Sequence, residues 1–152
     1  MMTGIKFRAL IMAICSVFIL SACASSYTMN NNERTEAYAE YIVTEKLESM
    51  DRVRSFRLDG FSSLSDENLI ISTGVNRSYL ITFRNTCFNL RQANFIKVNN
   101  SDSSLQTKFD SISVPQDAGI GTKCFIDKIH KLTVEQKKAM LKIGRKSEED
   151  KG

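Results

Sequence analysis

The sequence predicts an α+β fold, with five or six short antiparallel strands in a small sheet or partly open barrel, flanked by an N-terminal and a C-terminal helix. Three observations predict it. The 152 residues have the length of one domain and an ordinary globular composition, 42% hydrophobic and 25% charged. Short β-branched runs separated by turn residues fill the middle of the chain. Apolar residues at helical spacing flank that region, so we expect one globular domain over residues 35–144.

Residues 1–22 are typical of a secretory signal peptide. Lys6 and Arg8 form a short basic region, and an apolar run follows over residues 9–20. This run is too short to cross a bilayer as a permanent helix, which needs roughly 20 apolar residues. We therefore expect the segment to direct export and then to be removed.

Cys23 ends a tetrapeptide, Leu20-Ser21-Ala22-Cys23, that resembles a bacterial lipobox. The resemblance implies that the Cys23 thiol is alkylated with diacylglycerol, that a peptidase cuts before it, and that the new amine is acylated. Two acyl chains already give stable anchoring. Ala24, rather than Asp, follows Cys23, and by resemblance to enterobacterial sorting rules this favours the outer membrane. Two alternatives stay open: an ordinary signal peptide cleaved at an A-x-A-like site, and an uncleaved single anchor.

The segment 23–34 is polar beyond the cysteine and predicts a flexible tether. The spacing that follows predicts the first helix over residues 35–50. Four apolar side chains form its stripe: Ala39, Val43, Leu47 and Met50. Three more widen this stripe, so the helix should pack on the domain: Tyr38, Tyr41 and Ile42.

The middle of the chain predicts the strands, which are bounded by turn residues. Their predicted ranges are 53–58, 68–73, 78–83, 95–98, 108–114 and 123–132. Residues 74–77 indicate the turn of a β-hairpin, Asp59-Gly60 a further turn, and 115–121 a loop. In the last strand one face is predicted to hold Cys124, Ile126, Lys128 and His130.

The end of the chain predicts the second helix over residues 133–143. Thr133 is a candidate N-cap, and Gln136 follows three residues later, as in a capping box. Gly144 should end the helix, and residues 145–152 form a charged tail.

Cys87 and Cys124 are predicted to form one structural disulfide. Cys15 leaves with the signal peptide and Cys23 carries lipid, so these two are the remaining thiols of an exported domain. The periplasm is oxidising, and the chain-entropy model gives about 4 kcal/mol for a loop of this length. A redox-active pair and a zinc site that includes His130 are the alternatives, although no C-x-x-C motif is present. We expect no metal and no cofactor.

Several short motifs in the middle of the chain resemble a known family. They are Ile70-Ile71, Tyr79-Leu80-Ile81, Cys87 with Leu90, Lys108-Phe109-Asp110-Ser111-Ile112, and Lys123-Cys124-Phe125-Ile126 with Ile129. Over residues 53–132 they resemble an uncharacterised domain-of-unknown-function family of small Gram-negative envelope proteins, many with lipoprotein signals. The resemblance implies this fold and export, and it assigns no activity.

Candidate catalytic groups are few. His130, the one histidine in the sequence, stands near Lys128 and Lys131 and is predicted to lie at the surface or at a strand edge. Asp110 is the best-placed acid, and it is predicted to cap a turn or to pair with a basic residue. The sequence has no nucleophile elbow and no Gly-rich phosphate loop. We therefore expect no enzymatic activity, and an enzyme built on Asp110 and His130 is the third alternative for function.

The residues favour an outer-membrane-anchored periplasmic lipoprotein that acts as a non-enzymatic interaction module of the cell envelope. Its expected partners are membrane lipid, through acylated Cys23, and another envelope protein. Export makes nucleic acid an unexpected partner. The alternative is a carrier of a small apolar ligand, which would use a sheet interior lined by Tyr79, Phe83, Phe95 and Phe109.

Overall fold

The computed structural model describes residues 29–116 and 119–143. The predicted signal peptide, residues 23–28 of the tether with the candidate lipidation site Cys23, and the tail from Gly144 onward lie outside these ranges. Within them, two helices flank a curled antiparallel sheet that forms a half-barrel, as the sequence predicts. No helix in the described ranges combines the length and the apolar content that crossing a bilayer requires.

The helices are α1 (Asn31–Thr44) and α2 (Val134–Ile143), and a 3₁₀ turn spans Leu90–Gln92. The strands of the described ranges are β1 (Ser49–Met50), β2 (Arg52–Val53), β3 (Gly60–Ser63), β4 (Asn68–Ser72), β5 (Ser78–Phe83), β6 (Lys97–Asn99), β7 (Leu105–Gln106), β8 (Ser111–Gln116) and β9 (Gly119–Leu132).

The long strand β9 joins the two halves of the half-barrel. The spatial order of the six main strands is β3-β4-β5-β9-β8-β6, and all neighbours are antiparallel. The first part of β9 pairs with β8, and its last part pairs with β5 on one side and with the short β1 on the other. Strands β2 and β7 pair separately.

Two apolar cores lie on opposite faces of the sheet. The inner core fills the concave side with side chains that include Leu69, Ile71, Tyr79, Ile81, Phe83, Ile126 and Ile129. The outer core lies between the sheet and both helices and contains Tyr38, Leu64, Ile70, Leu80, Leu132 and Met140. Strands β4 and β5 are therefore buried on both faces, which explains their continuous apolar runs.

Helix α1 begins four residues earlier than the sequence predicts and ends six residues earlier. Asn30 and Glu33 form a capping box, each side chain accepting a hydrogen bond from the other residue's backbone N–H, and this fixes the start within the segment predicted as tether. The predicted stripe is wrong, because Val43 is exposed and Tyr38 is the buried residue. The side chains that were predicted to widen the stripe form the contact with the sheet.

Five of the six predicted strands have other boundaries in the structure, and left-handed residues explain two of these differences. The predicted strand 95–98 is observed as Lys97–Asn99. Ser55 has φ 51°, which bends the chain out of the predicted strand 53–58, and Gly60 begins β3 rather than ending a turn. Lys108 has φ 68°, so β8 begins at Ser111 rather than at residue 108. The predicted loop 115–121 is shorter, since β8 continues to Gln116 and β9 begins at Gly119.

A β-bulge changes which side chains of β9 share a face. Asp127 is an extra residue opposite the Thr82–Phe83 step of β5. Ile126 and Ile129 therefore both enter the inner core although they are three residues apart. The predicted face of β9 is wrong beyond the bulge, and His130 lies on the side of the outer core.

Candidate functional site

A disulfide joins Cys87 to Cys124 with Cα atoms 5.5 Å apart, which confirms the predicted pairing. Both cysteines are buried against the inner core. The bond attaches the loop 84–92, which follows β5, to the first part of β9. The Cys87 N–H also donates a hydrogen bond to the Asp66 carbonyl at 2.6 Å, so this loop is held at two points.

The convex side of β6, β8 and the first part of β9 carries no helix and presents an exposed surface, which we call the aromatic face. Its main side chains are Phe95, Lys97, Lys123 and Phe125. The side chains that alternate with them point to the inner core: Ile96, Val98, Ile112, Val114 and Cys124. Strand alternation thus determines that these phenyl rings and lysines face outward.

The strand register arranges the aromatic face in two rows. Lys97, Ser113 and Lys123 form one row, because they pair across β6, β8 and β9. Asn99, Ser111 and Phe125 form the next row. The Asn99 side chain donates a hydrogen bond to the Ser113 hydroxyl of the first row at 2.8 Å. The Lys123 ammonium lies 5.7 Å from the centroid of the Phe125 ring, within cation–π distance.

The phenyl rings of this half of the sheet are unusually accessible. Phe95 is 63% exposed and Phe125 is 43% exposed. Phe109, in the turn that leads into β8, is 79% exposed. The register places Phe125 on one side of the lysine row and Phe95, two residues before Lys97, on the other side. Exposed large apolar side chains on one surface are typical of an interaction site.

Asp110 has a structural role. Its side chain is buried, and one carboxylate oxygen accepts a hydrogen bond from the Gln106 N–H at 2.7 Å. Its carbonyl accepts a hydrogen bond from the Ile126 N–H. The carboxylate therefore caps a turn, as predicted.

His130 is buried, so the predicted surface or strand-edge position is wrong. Its Nδ1 lies 3.1 Å from the Leu47 carbonyl oxygen, and since a carbonyl accepts, Nδ1 donates. Strand β1 covers it from the side, because Ser49 pairs with His130. The Nε2 atom has no hydrogen-bond partner among the described residues.

The structure does not bring Asp110 and His130 together. Asp110 is hydrogen-bonded to Ile126, and His130 stands four residues further along β9. At about 3.3 Å per residue, the two positions are roughly 13 Å apart along the strand. In the described ranges, no group of three or more His, Cys, Asp or Glu side chains is placed to hold a metal ion.

The four aromatic residues of the carrier hypothesis do not line one cavity. Tyr79 and Phe83 are buried in the inner core, whereas Phe95 and Phe109 are exposed on the outside. Surface grooves do occur beside the start of α2. One of about 290 Å³ lies against Ser72 and Lys137, and a neighbouring one of about 660 Å³ lies against Glu48 and Lys131.

Two carboxyl groups outside the aromatic face have a lowered pKa, and both hold loops in place. The Ser104 hydroxyl and backbone N–H hold the pKa of Asp102 below its usual value, with a smaller contribution from Arg52. A hydrogen bond from the Gly74 N–H lowers the pKa of Asp59 in the same way. Burial raises the pKa of Tyr38 under the outer core.

The sequence interpretation missed the aromatic face because it assigned Phe95 and Phe109 to the interior. The signal that indicates otherwise is the alternation Phe95-Ile96-Lys97-Val98, which places a phenyl ring and a lysine on the same side of a strand. That pattern is compatible with an apolar residue facing solvent.

Comparison with known proteins gives a family but no activity. No curated protein and no solved structure matches the chain. Residues 6–148 match the model of one protein family, a longer stretch than the motifs of the middle region cover. Because this match spans most of the sequence, the chain belongs to the Family of unknown function (DUF6491).

Proposed function

We propose that the protein is a periplasmic lipoprotein, anchored to the outer membrane through acylated Cys23, that binds another component of the cell envelope without catalysis. The observation that carries the proposal is the aromatic face, where exposed phenyl rings and lysines stand on the uncovered half of the sheet. The disulfide between Cys87 and Cys124 ties the loop after β5 to this half of the sheet.

Two observations support export and anchoring. The family match begins at residue 6, so it includes most of the predicted leader and the lipobox-like sequence that ends at Cys23. The disulfide is typical of an oxidising compartment such as the periplasm. Both fit an envelope protein of Gram-negative bacteria.

The composition of the aromatic face favours a protein partner with acidic groups. Aromatic side chains are enriched in protein interfaces, where a few buried residues supply most of the binding energy. Lys97 and Lys123 lie in one row beside the rings, and they would attract carboxylates of the partner and reject basic surfaces. Asp110 and His130 take no part, because each is held by a backbone group of the fold.

Crosslinking in intact cells tests the binding surface. A photoreactive residue at position 95 should give a discrete crosslinked product, because Phe95 projects from the aromatic face. The matched control is position 75, since Val75 is also apolar and exposed but lies in the β4–β5 turn. The double substitution Lys123→Glu/Phe125→Ser should remove the product at 95. Equal patterns at both positions, or no product at 95, would contradict the proposal.

A second experiment tests the anchor. The intact mass of the membrane-extracted protein should correspond to a chain that begins at Cys23 and carries acyl groups, and Cys23→Ser should prevent this modification. A bare thiol with residues 1–22 still attached would overturn the anchor.

The carrier hypothesis is retained as the second candidate, because the grooves beside α2 offer a surface site outside the filled interior. It predicts saturable binding of an apolar dye that Phe95→Ser leaves unchanged. The interaction module predicts no such saturable binding.

A further inference from the structure

The loop 84–92 holds one phenyl ring in solvent. Cys87 and Leu90 are both fully buried, and the disulfide fixes the first of them. Between them stand Phe88 and Asn89, which we call the tip. Asn89 has φ 64°, so the backbone turns sharply there. Phe88 is 65% exposed, and the buried residues on either side of the tip, Cys87 and Leu90, hold the tip at the surface.

Two arginines flank the tip. Arg84 and Arg91 are exposed, and neither belongs to the ion pairs of the described residues, which are Arg52–Asp102 and Arg57–Asp59. Two carboxylates lie beside this loop: Asp66 accepts a hydrogen bond from the Arg91 backbone N–H, and Glu67 accepts one from the Thr86 hydroxyl. The tip is thus an apolar ring with an exposed arginine on either side of it in the sequence.

The tip lies at the corner where the chain enters the domain. Asp66 connects the start of α1 to the loop 84–92. Its N–H donates a hydrogen bond to the Asn31 side chain, and its carbonyl accepts one from the Cys87 N–H. Asn31 is the first residue of α1, and Cys23 precedes its N-cap by seven residues. A chain of that length reaches at most about 25 Å. A lipid on Cys23 would therefore keep this corner close to the bilayer.

We infer that the tip docks onto an anionic lipid bilayer, with the Phe88 ring at the headgroup boundary and Arg84 and Arg91 beside lipid phosphates. This inference rests on the proposed anchor at Cys23. Aromatic side chains favour the membrane interface, and basic residues near it are attracted to anionic lipids. The anchor supplies proximity, and the tip would fix the orientation of the domain on the surface.

A tryptophan substitution tests the docking directly, because the chain contains no Trp. The mature, acylated protein with Phe88→Trp is reconstituted in vesicles of phosphatidylethanolamine and phosphatidylglycerol that contain brominated lipids. We expect blue-shifted fluorescence that the bromine atoms quench. Val75→Trp is the matched control, because it is exposed at the other end of β5, and it should be neither shifted nor quenched.

Charge reversal tests the role of the arginines. In the Phe88→Trp background, Arg84→Glu/Arg91→Glu should reduce the quenching to the level of the Val75→Trp control. Lys131→Glu/Lys138→Glu changes the net charge equally at exposed positions near the other end of β5 and should leave the quenching unchanged.

The outcomes separate this inference from the proposed function. Intact mass of the same sample reports the acylation independently. An acylated protein with equal quenching at 88 and 75, or with a blue shift at 88 that bromine does not quench, overturns the docking and leaves the anchor standing. A protein without lipid overturns the anchor, and its quenching on addition to preformed vesicles still decides whether the tip docks.

Discussion

The buried imidazole of His130 ties the segment after α1 to the sheet. Its Nδ1–H donates a hydrogen bond to the Leu47 carbonyl oxygen. The connection spans residues that are far apart in the sequence, and it lies under the short strand β1. The single histidine of the chain therefore serves the fold.

We expect His130→Ala to lower the free energy of unfolding by about 2–3 kcal/mol, because it removes this hydrogen bond and leaves a cavity. Urea denaturation measures the change. Lys128→Ala, at an exposed position of the same strand, should change the stability by less than about 0.5 kcal/mol. Equal effects of the two substitutions would show that the contact with Leu47 contributes nothing.

Asp59 makes the stability of the β4–β5 turn depend on pH. The hydrogen bond from Gly74 lowers the pKa of the Asp59 carboxyl below its usual 3.8, and the adjacent Arg57 adds to this. A carboxyl with a lowered pKa stabilises the fold above its unfolded pKa, and this contribution is lost as the pH falls through the folded pKa. Asp59→Asn should therefore weaken the fold at neutral pH and flatten its loss of stability in acid.

Urea denaturation at neutral pH and below the usual pKa of aspartate measures the difference. Glu40→Gln, an exposed acid on α1, is the control and should keep the pH profile of the unsubstituted protein. An Asp59→Asn variant with an unchanged profile would contradict the role of this turn.

Elements with strong local signals could be predicted from the sequence, and those shaped by distant contacts could not. The β4–β5 hairpin follows from two apolar runs around a turn, and α2 begins where Thr133 and Gln136 predict, with both hydrogen bonds of the capping box present. The buried face of α1 and the side chains that share a face of β9 depend on the elements that pack against them, so they could not be predicted locally. The bulge at Asp127 has no local signature in the sequence, so the face of β9 on which His130 lies was predicted wrongly.

The same distinction applies to the candidate site. The disulfide was predictable, because the expected export and processing would leave Cys87 and Cys124 as the remaining thiols. The aromatic face was not, because the position of the helices decides which half of the sheet remains uncovered. An apolar residue in a predicted strand is buried on average. Phe95 is exposed because no helix covers this half of the sheet.

The capping box of α2 should contribute measurably to stability. Thr133→Ala removes the hydroxyl that accepts the Gln136 N–H, and we expect a loss of about 1 kcal/mol. Amide hydrogen exchange should quicken in the first turn of α2 more than in its last. Lys138→Ala, at an exposed position of the same helix, is the control and should leave both quantities nearly unchanged.

At the scale of the whole molecule, the disulfide joins the loop after β5 to β9, the strand that pairs with β5 in the middle of the half-barrel. It links the loop after β5 to the first part of β9, and the two cysteines are 37 residues apart in sequence. Both cysteines belong to the inner core. The bond therefore restrains the half of the molecule that no helix supports.

The substitutions Cys87→Ala/Cys124→Ala remove the bond and should lower the free energy of unfolding by about 4 kcal/mol. Without the crosslink the unfolded chain has more conformational entropy, and this entropy stabilises the unfolded state. Urea denaturation of the variant and of the reduced unsubstituted protein should agree. A variant as stable as the oxidised protein would contradict this account.

The two lateral margins of the half-barrel are short, with four residues in β3 and three in β6. An unpaired strand margin invites a second chain to add its own strand, and few backbone groups are offered here for that pairing. Many copies crowded together would therefore resist stacking into fibrils and stay individually folded.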